Sequence, residues 1–238
     1  MVPILRYPHP FSSHRKGARE MYDTTEALVI IVDDDELVRG ALDSLFRSVG
    51  LKTICYGSAA EVLNAPLPKT LCCLVVDVRM PGIGGFEFQE TLASRGADIP
   101  IIFMTGHGDI PMSVKAMKAG AVDFLAKPVR DQDILDAVNA ALARGRDQIS
   151  AAEDTAAVRT RHDSLTPRET EVMAGVVRGL LNKQVGGELG IAEITVKMHR
   201  ANVMKKMGVR TVADLVRLAE VLSKTGVESG ASSYGATR

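Results

Sequence analysis

The chain has 238 residues, 46% of them apolar, and is formally neutral, with 29 Lys and Arg against 29 Asp and Glu. That length fits one large or two small domains, and that apolar content excludes a chain too polar to bury a core. No apolar run approaches the ~20 residues needed to cross a bilayer, which argues against a membrane protein.

Neutrality conceals an asymmetry. Residues 27–145 carry 11 basic and 15 acidic side chains, whereas residues 161–225 carry 11 and 7. The first stretch suits a cation, the second a polyanion. Residues 1–26 contain three prolines and no clear periodicity. Their Arg6, Arg15, Lys16 and Arg19 are not followed by the apolar segment of a secretory signal. They read either as a disordered arm or as an extension ahead of a start at Met21. From Leu28 the pattern alternates between strand and helix. Leu28–Val32 is a continuous apolar run, as a parallel strand buried on both faces requires. Leu37, Val38, Ala41, Leu42, Leu45, Phe46 and Val49 then mark one face of a helix that Gly50 stops. A strand over 53–56 precedes Ser58 and Glu61, which are spaced as a capping box.

Further strands are expected over 71–76, 101–104 and 123–125, with helices over 86–94, 112–118 and 133–144. Five strands alternating with five helices define an α/β fold, a doubly wound parallel sheet. Cys55, Cys72 and Cys73 fall in apolar segments, an odd set read as reduced core residues of a cytoplasmic protein. Residues 146–160 are polar and alanine-rich, and read as a linker with helix only at its start. Beyond them the pattern is all-α. Thr166-Pro167-Arg168-Glu169 combines an N-cap, a proline at the first helical position and a capping-box glutamate. Four helices fit, near 167–180, 183–189, 193–207 and 211–222. The Gly- and Ser-rich tail over 226–238 reads as disordered.

Ligands bind an open parallel sheet at the carboxyl ends of its strands. Asp33-Asp34-Asp35 follows the first strand, Asp77 ends the third, Thr105-Gly106 the fourth, and Lys127-Pro128 follows the fifth. Clustered carboxylates repel unless a cation joins them, and an all-oxygen set suits Mg²⁺. A carboxylate can act as nucleophile to form an acyl phosphate. Mg²⁺, an ammonium and a hydroxyl can share the charge on the transferring oxygens. In the second half, residues 197–210 hold Lys197, Arg200, Lys205, Lys206 and Arg210 and no acid, which suits phosphate contacts. Ile194, Met198, Ala201 and Met204 lie at helical spacing and are expected to pack inward. That would leave Glu193, Thr195, Lys197 and Arg200 toward a DNA groove.

These residues resemble a known family. Val32-Asp33-Asp34, the run Val76-Asp77-Val78-Arg79-Met80-Pro81-Gly82, Thr105-Gly106-His107-Gly108 and Lys127-Pro128 look like the receiver domain of two-component response regulators, a flavodoxin/CheY-like fold, over residues 27–145. Residues 161–225 resemble a LuxR-type helix-turn-helix of the NarL/FixJ subfamily through Leu165-Thr166-Pro167-Arg168-Glu169, Gly179, Asn182-Lys183, Leu189-Gly190 and Thr195-Val196-Lys197-Met198-His199. The resemblance to FixJ-type regulators implies that Asp77 is the phosphoacceptor. It implies that Asp34, Asp77 and the main-chain carbonyl of Arg79 hold Mg²⁺, with Asp33 assisting through water. It further implies that Thr105 and Lys127 bind the phosphoryl group, that Phe124 turns inward as a switch, and that Lys127-Pro128 is cis. DNA contacts are assigned to Glu193, Thr195, Val196, Lys197, His199, Arg200 and Lys205. The implied partners are a sensor histidine kinase, double-stranded operator DNA and a second copy docked through the fourth helix, fifth strand and fifth helix, with RNA polymerase a further candidate.

Two alternative readings fit the residues less well. An aspartyl phosphohydrolase needs a second acid to protonate its leaving group, and Val78-Arg79 after Asp77 supplies none. A receiver used only for docking would not need Asp34, Asp77, Thr105 and Lys127 together. Two departures from the subfamily pattern bear on stability. Ala192 stands where a Ser or Thr N-cap is usual, at a cost of ~1 kcal/mol. Gly186 and Gly187 fall inside a helix at roughly 1 kcal/mol each relative to Ala.

Overall fold

The computed structural model describes residues 27–224, apart from Lys69 and residues 107–109. The expectations for residues 1–26, for the tail 226–238 and for His107, Gly108 and Asp109 fall outside the described residues. Five strands form: β1 (Leu28–Val32), β2 (Lys52–Tyr56), β3 (Cys72–Asp77), β4 (Ile101–Thr105) and β5 (Asp123–Ala126). They pair in parallel in the order β2-β1-β3-β4-β5. That is the doubly wound order with its switch point between β1 and β3.

Alternate side chains of a strand leave opposite faces of the sheet. Val29, Ile31, Cys73, Val75, Ile102 and Met104 pack with Leu42 and Phe46 of α1 (Glu36–Ser48) and with Ile134, Val138 and Leu142 of α5 (Asp131–Asp163). Ile30, Leu74, Val76 and Phe103 pack on the other side with α2 (Ala59–Asn64), α3 (Gly85–Ser94) and α4 (Ile110–Lys118), through Val62, Phe88, Leu92 and Ala116. The continuous apolar runs are explained by this double covering. β2 lies at the edge and is only partly covered. Cys72 and Cys73 are buried as expected, and burial pushes the Cys72 thiol up to about 11. The core expectation for Cys55 is corrected: it is exposed, because an edge strand leaves backbone and side chains open to solvent.

Capping follows the sequence with one change. The Glu61 N–H donates to Ser58 Oγ at 3.3 Å, but its carboxylate accepts from the Gly57 N–H at 3.2 Å and the Ser58 hydroxyl at 3.1 Å, where a capping box would use the Ser58 backbone N–H. Thr166 and Glu169 make the full reciprocal box, at 3.3 and 2.8 Å.

α5 differs more. It was expected to end near Arg144, yet it runs unbroken for 33 residues through the segment read as a linker. Ala151, Ala152, Ala156 and Ala157 are strong helix formers, and beyond Gly145 no Gly or Pro interrupts them. The chain divides into two compact units between Ile149 and Ser150. In the second unit, α6 (Pro167–Val177), α7 (Asn182–Leu189), α8 (Glu193–Met207) and α9 (Val212–Lys224) enclose Val172, Met173, Val176, Val185, Val196, Val203, Met207, Leu215 and Leu222. Among the described residues no helix is long and apolar enough to cross a membrane.

Candidate functional sites: an acidic sheet edge and a basic helix

The strand ends bring the expected polar residues of the first unit together. Asp33 follows β1, Asp77 closes β3, Thr105 closes β4, and Lys127 follows β5. Register aligns these ends: Val32 pairs with Val76, Asp77 with Met104, and Thr105 with Ala126. The Lys127 N–H donates to the Thr105 carbonyl at 2.7 Å, which ties the last two ends together, and the Lys127-Pro128 peptide is cis.

Lys127 Nζ sits between two carboxylates, 2.6 Å from Asp33 Oδ2 and 2.8 Å from Asp77 Oδ2. The Asp33 side chain is fully buried and that of Asp77 nearly so. Burial pulls the Lys127 ammonium down, but hydrogen bonds and attraction from Asp33 and Asp77 outweigh it and hold it above the ordinary lysine value. The second oxygens are also engaged: Asp33 Oδ1 accepts the Asp35 N–H at 2.9 Å, and Asp77 Oδ1 the Arg79 N–H at 3.2 Å. Asp34 is exposed, and one oxygen each from Asp33, Asp34 and Asp77 lie within 4.8 Å of one another. Three hard oxygen donors at that spacing are compatible with a Mg²⁺ ion. Thr105 is fully buried, and Phe124 is half-buried against the α3 and α4 side of the core.

Three further residues position this edge: Asp35, named in the sequence only as part of the acidic run, and Arg39 and Gly85, which the sequence did not single out. Asp35 is the N-cap of α1, its Oδ1 accepting from Leu37 and Val38 at 2.8 and 3.3 Å. Arg39 Nη1 donates to the Asp33 carbonyl at 2.6 Å. At Gly85 a Cβ would lie 2.8 Å from the Asp77 carbonyl oxygen and 3.1 Å from Val78 Cα. Only glycine lets α3 begin that close to the end of β3. The Gly84-Gly85 pair ahead of a helix was the available signal.

In the second unit, α7 is capped by Gly190 in the left-handed region, φ 66°, and α8 begins three residues on at Glu193. A Cβ at Gly186 would lie 2.7 Å from the Ile191 carbonyl oxygen, so this glycine admits the turn between the two helices. The orientation expected for α8 holds for Met204, which packs against the core, and for the exposed Glu193 and Lys197, but not for Ile194, Met198 and Ala201. Val196, Val203 and Met207 face the core, while Ile194 is 73% and Met198 55% exposed and Ala201 is exposed. Both stripes are apolar at helical spacing, and the core takes the one carrying Val196. Val196, assigned to DNA, is fully buried and cannot reach a groove.

Glu193, Lys197 and Lys205 are exposed, and Thr195, His199 and Arg200 half-buried. Lys197 Nζ pairs with Glu193 Oε1 at 3.1 Å. Arg200 Nη1 donates to Asn182 Oδ1 of α7 at 3.0 Å, another partnership that the sequence did not reveal. His199 Nδ1 is buried without a hydrogen-bond partner among the described residues. Lys206 is drawn away from the basic face: its Nζ lies 2.6 Å from Glu169 Oε2 and donates to the Ser164 carbonyl at 3.0 Å. Ala192 has extended backbone, φ −64° and ψ 146°, and caps nothing with its side chain.

A doubly wound domain with an acidic, lysine-bridged strand edge, joined to a helix-turn-helix with a basic second helix, defines a signal-receiving DNA-binding regulator. Residues 29–139 match the response regulator receiver domain family, and residues 163–219 match the luxR family of bacterial regulatory proteins. Nodulation protein W of Bradyrhizobium diazoefficiens is 53% identical over 199 residues, covering 84% of this chain and 88% of that protein. The transcriptional regulatory protein FixJ of Azorhizobium caulinodans is 45% identical, covering 80% and 90%. The solved structure of the response regulator StyR superposes with a TM-score of 0.71 at 47% identity, covering 82% of this chain and 98% of that one. The chain belongs to the NarL/FixJ-type response regulators, a family of transcription regulators of two-component systems rather than of enzymes.

Proposed function

We propose that Asp77 accepts a phosphoryl group from a sensor histidine kinase, and that this event promotes dimerisation and binding to operator DNA. The observation that carries the reading is the convergence of Asp33, Asp34, Asp77, Thr105 and Lys127 on one sheet edge, with Lys127 Nζ 2.8 Å from Asp77 Oδ2. In this reading an Asp77 carboxylate oxygen forms the new O–P bond as the P–N bond of a phosphohistidine breaks, its electron pair returning to the ring nitrogen. Asp34, Asp77 and the main-chain carbonyl of Arg79 would hold Mg²⁺, with Asp33 assisting through water. When bound, the ion shares the charge of the transferring oxygens.

Each Asp77 oxygen accepts one hydrogen bond, Oδ1 from the Arg79 N–H and Oδ2 from Lys127, which leaves lone pairs free for the new bond. Lys127 can exchange its Asp77 contact for a phosphoryl oxygen while keeping Asp33. Thr105 would turn toward the same group, and Phe124 would follow into the space released. Val114 and Met117, both exposed on α4, support the α4–β5–α5 face as the dimer surface. A dimer links two half-sites on the duplex and so tightens binding. Lys197, Arg200 and Lys205 supply the charge for that contact, with RNA polymerase a further partner at the promoter.

The test is intact-mass measurement after incubation with Mg²⁺ and acetyl phosphate. The chain should gain one phosphoryl group, and Asp77→Asn should gain none. Undiminished labelling of Asp77→Asn would remove Asp77 as the acceptor.

A further inference from the structure

α8 leaves a second apolar stripe unused by the core. Ile194 and Met198 are among the few large apolar side chains that the described residues expose, at 73% and 55%. They lie one helical turn apart and, with Thr195 and Lys197, line a shallow open depression in the first two turns of α8. Glu193 beside them is paired with Lys197 at 3.1 Å, and from there to Arg210 the chain carries Lys197, Arg200, Lys205, Lys206 and Arg210 and no acid, so the net charge around the stripe is positive. An apolar protein partner would gain nothing from that charge, and a polyanion would.

Within duplex DNA the only apolar group that the major groove offers is the thymine C5-methyl. Residues near the N-terminus of a recognition helix are the ones that reach base edges. Ile194 has no hydrogen-bonding group and Met198 only a weakly accepting sulfur, so the base-edge group that suits both is that methyl. We infer that Ile194 and Met198 are specificity-determining residues that select thymine in each half-site by contact with its methyl group. Four residues of helix rise about 6 Å, close to two base-pair steps of ~3.4 Å. The two selected thymines should therefore stand about two steps apart. The inference rests on the reading that α8 enters the groove of operator DNA.

The experiment uses the full chain, with and without acetyl phosphate and Mg²⁺, to enrich binding sites from a random duplex library. In the enriched duplex each thymine is then replaced by deoxyuridine, which removes the methyl and keeps the base pair. Two positions per half-site, about two steps apart, should lose affinity by roughly fourfold each, the worth of one buried methyl-sized group. Ile194→Ala should abolish the effect at one of them and Met198→Ala at the other. Both side chains are exposed, so the two variants should melt as the parent does. An enriched duplex with no thymine-to-uracil effect, or with effects that neither variant alters, would overturn the assignment and leave DNA binding standing. Failure to enrich any duplex would overturn the DNA reading and this inference together.

Discussion

Gly186 and Gly187 offer a controlled test of how the second unit holds α8. Both lie in α7, so replacing either with alanine gives the same helix-propensity gain of roughly 1 kcal/mol. Their surroundings differ. A Cβ at Gly186 would meet the Ile191 carbonyl oxygen at 2.7 Å, Val196 Cγ2 at 3.6 Å and the Glu193 nitrogen at 3.7 Å, whereas Gly187 has nothing within 4 Å. The Ile191 oxygen belongs to the backbone of the turn and cannot rotate away as a side chain could. Overpacking of that kind costs about 1–3 kcal/mol, and because the propensity gain is shared, that strain is the difference between the two variants. Gly187→Ala should therefore stabilise the second unit by roughly 1 kcal/mol, with Gly186→Ala about 1–3 kcal/mol below it. For a domain of this size the gap corresponds to at least about 4 °C in melting temperature. Differential scanning calorimetry of the full chain compares the two variants directly. DNA titration should show weaker binding for Gly186→Ala, whose strain falls on the turn that aims α8, and unchanged binding for Gly187→Ala. Equal melting temperatures for the two variants, or a more stable Gly186→Ala, would refute the steric argument.

The basic face yields a prediction about salt. Arg200→Ala should weaken binding to the enriched duplex and to scrambled DNA alike and lower the salt slope by about one unit, whereas Lys197→Ala should cost roughly 1–3 kcal/mol at one base position; titration across salt concentrations separates them, and an unchanged slope for Arg200→Ala would take it off the phosphates. A second prediction concerns pH. The Lys206 hydrogen bond, then the Thr166 backbone N–H, hold the Glu169 carboxyl at about 2, against an ordinary 4.5. A depressed carboxyl contributes stability that is present above its unfolded value and lost as pH falls through the folded one. The helical unit should thus lose that contribution between about pH 4.5 and pH 2, and Lys206→Met should shift the loss upward. Melting curves across that range check it, and an unshifted profile for Lys206→Met would show that the ion pair contributes nothing to acid resistance.

The sheet and its acidic edge were legible because several constraints coincide there. Central parallel strands must be apolar at every position, so they stand out as runs, and the edge displays itself as polar residues at the ends of those runs. β2 followed the rule less well, since an edge strand is covered on fewer sides, and Cys55 was misplaced with it. The continuation of α5 was missed for a different reason. Much of its surface between residues 146 and 160 is exposed, so no apolar stripe is required there, and alanine-rich composition alone had to signal helix. Gly85, Arg39 and Asn182 act through the backbone or through partners distant in sequence, contacts that neither periodicity nor motif spacing can display.

Lesions in α8 divide according to which of its two apolar stripes they strike. A helix with two apolar stripes presents one choice to the sequence and another to the fold. Here the stripe of Val196, Val203 and Met207 completes the core, and each is at most 1% exposed. Truncating any of them removes buried methyl groups, so a loss of DNA binding would follow from a loss of folded protein. The stripe of Ile194 and Met198 carries no such burden: shortening these exposed side chains removes little packing, so any loss of DNA binding must come from the interface. Lys206 belongs with the first group despite its charge, because its ammonium is held by Glu169 and Ser164 rather than offered to a phosphate. Charge and hydrophobicity therefore do not sort the residues of α8 into reading and folding roles. Position around the helix does, and the close approach of Gly186 to the Ile191 carbonyl helps to fix that position.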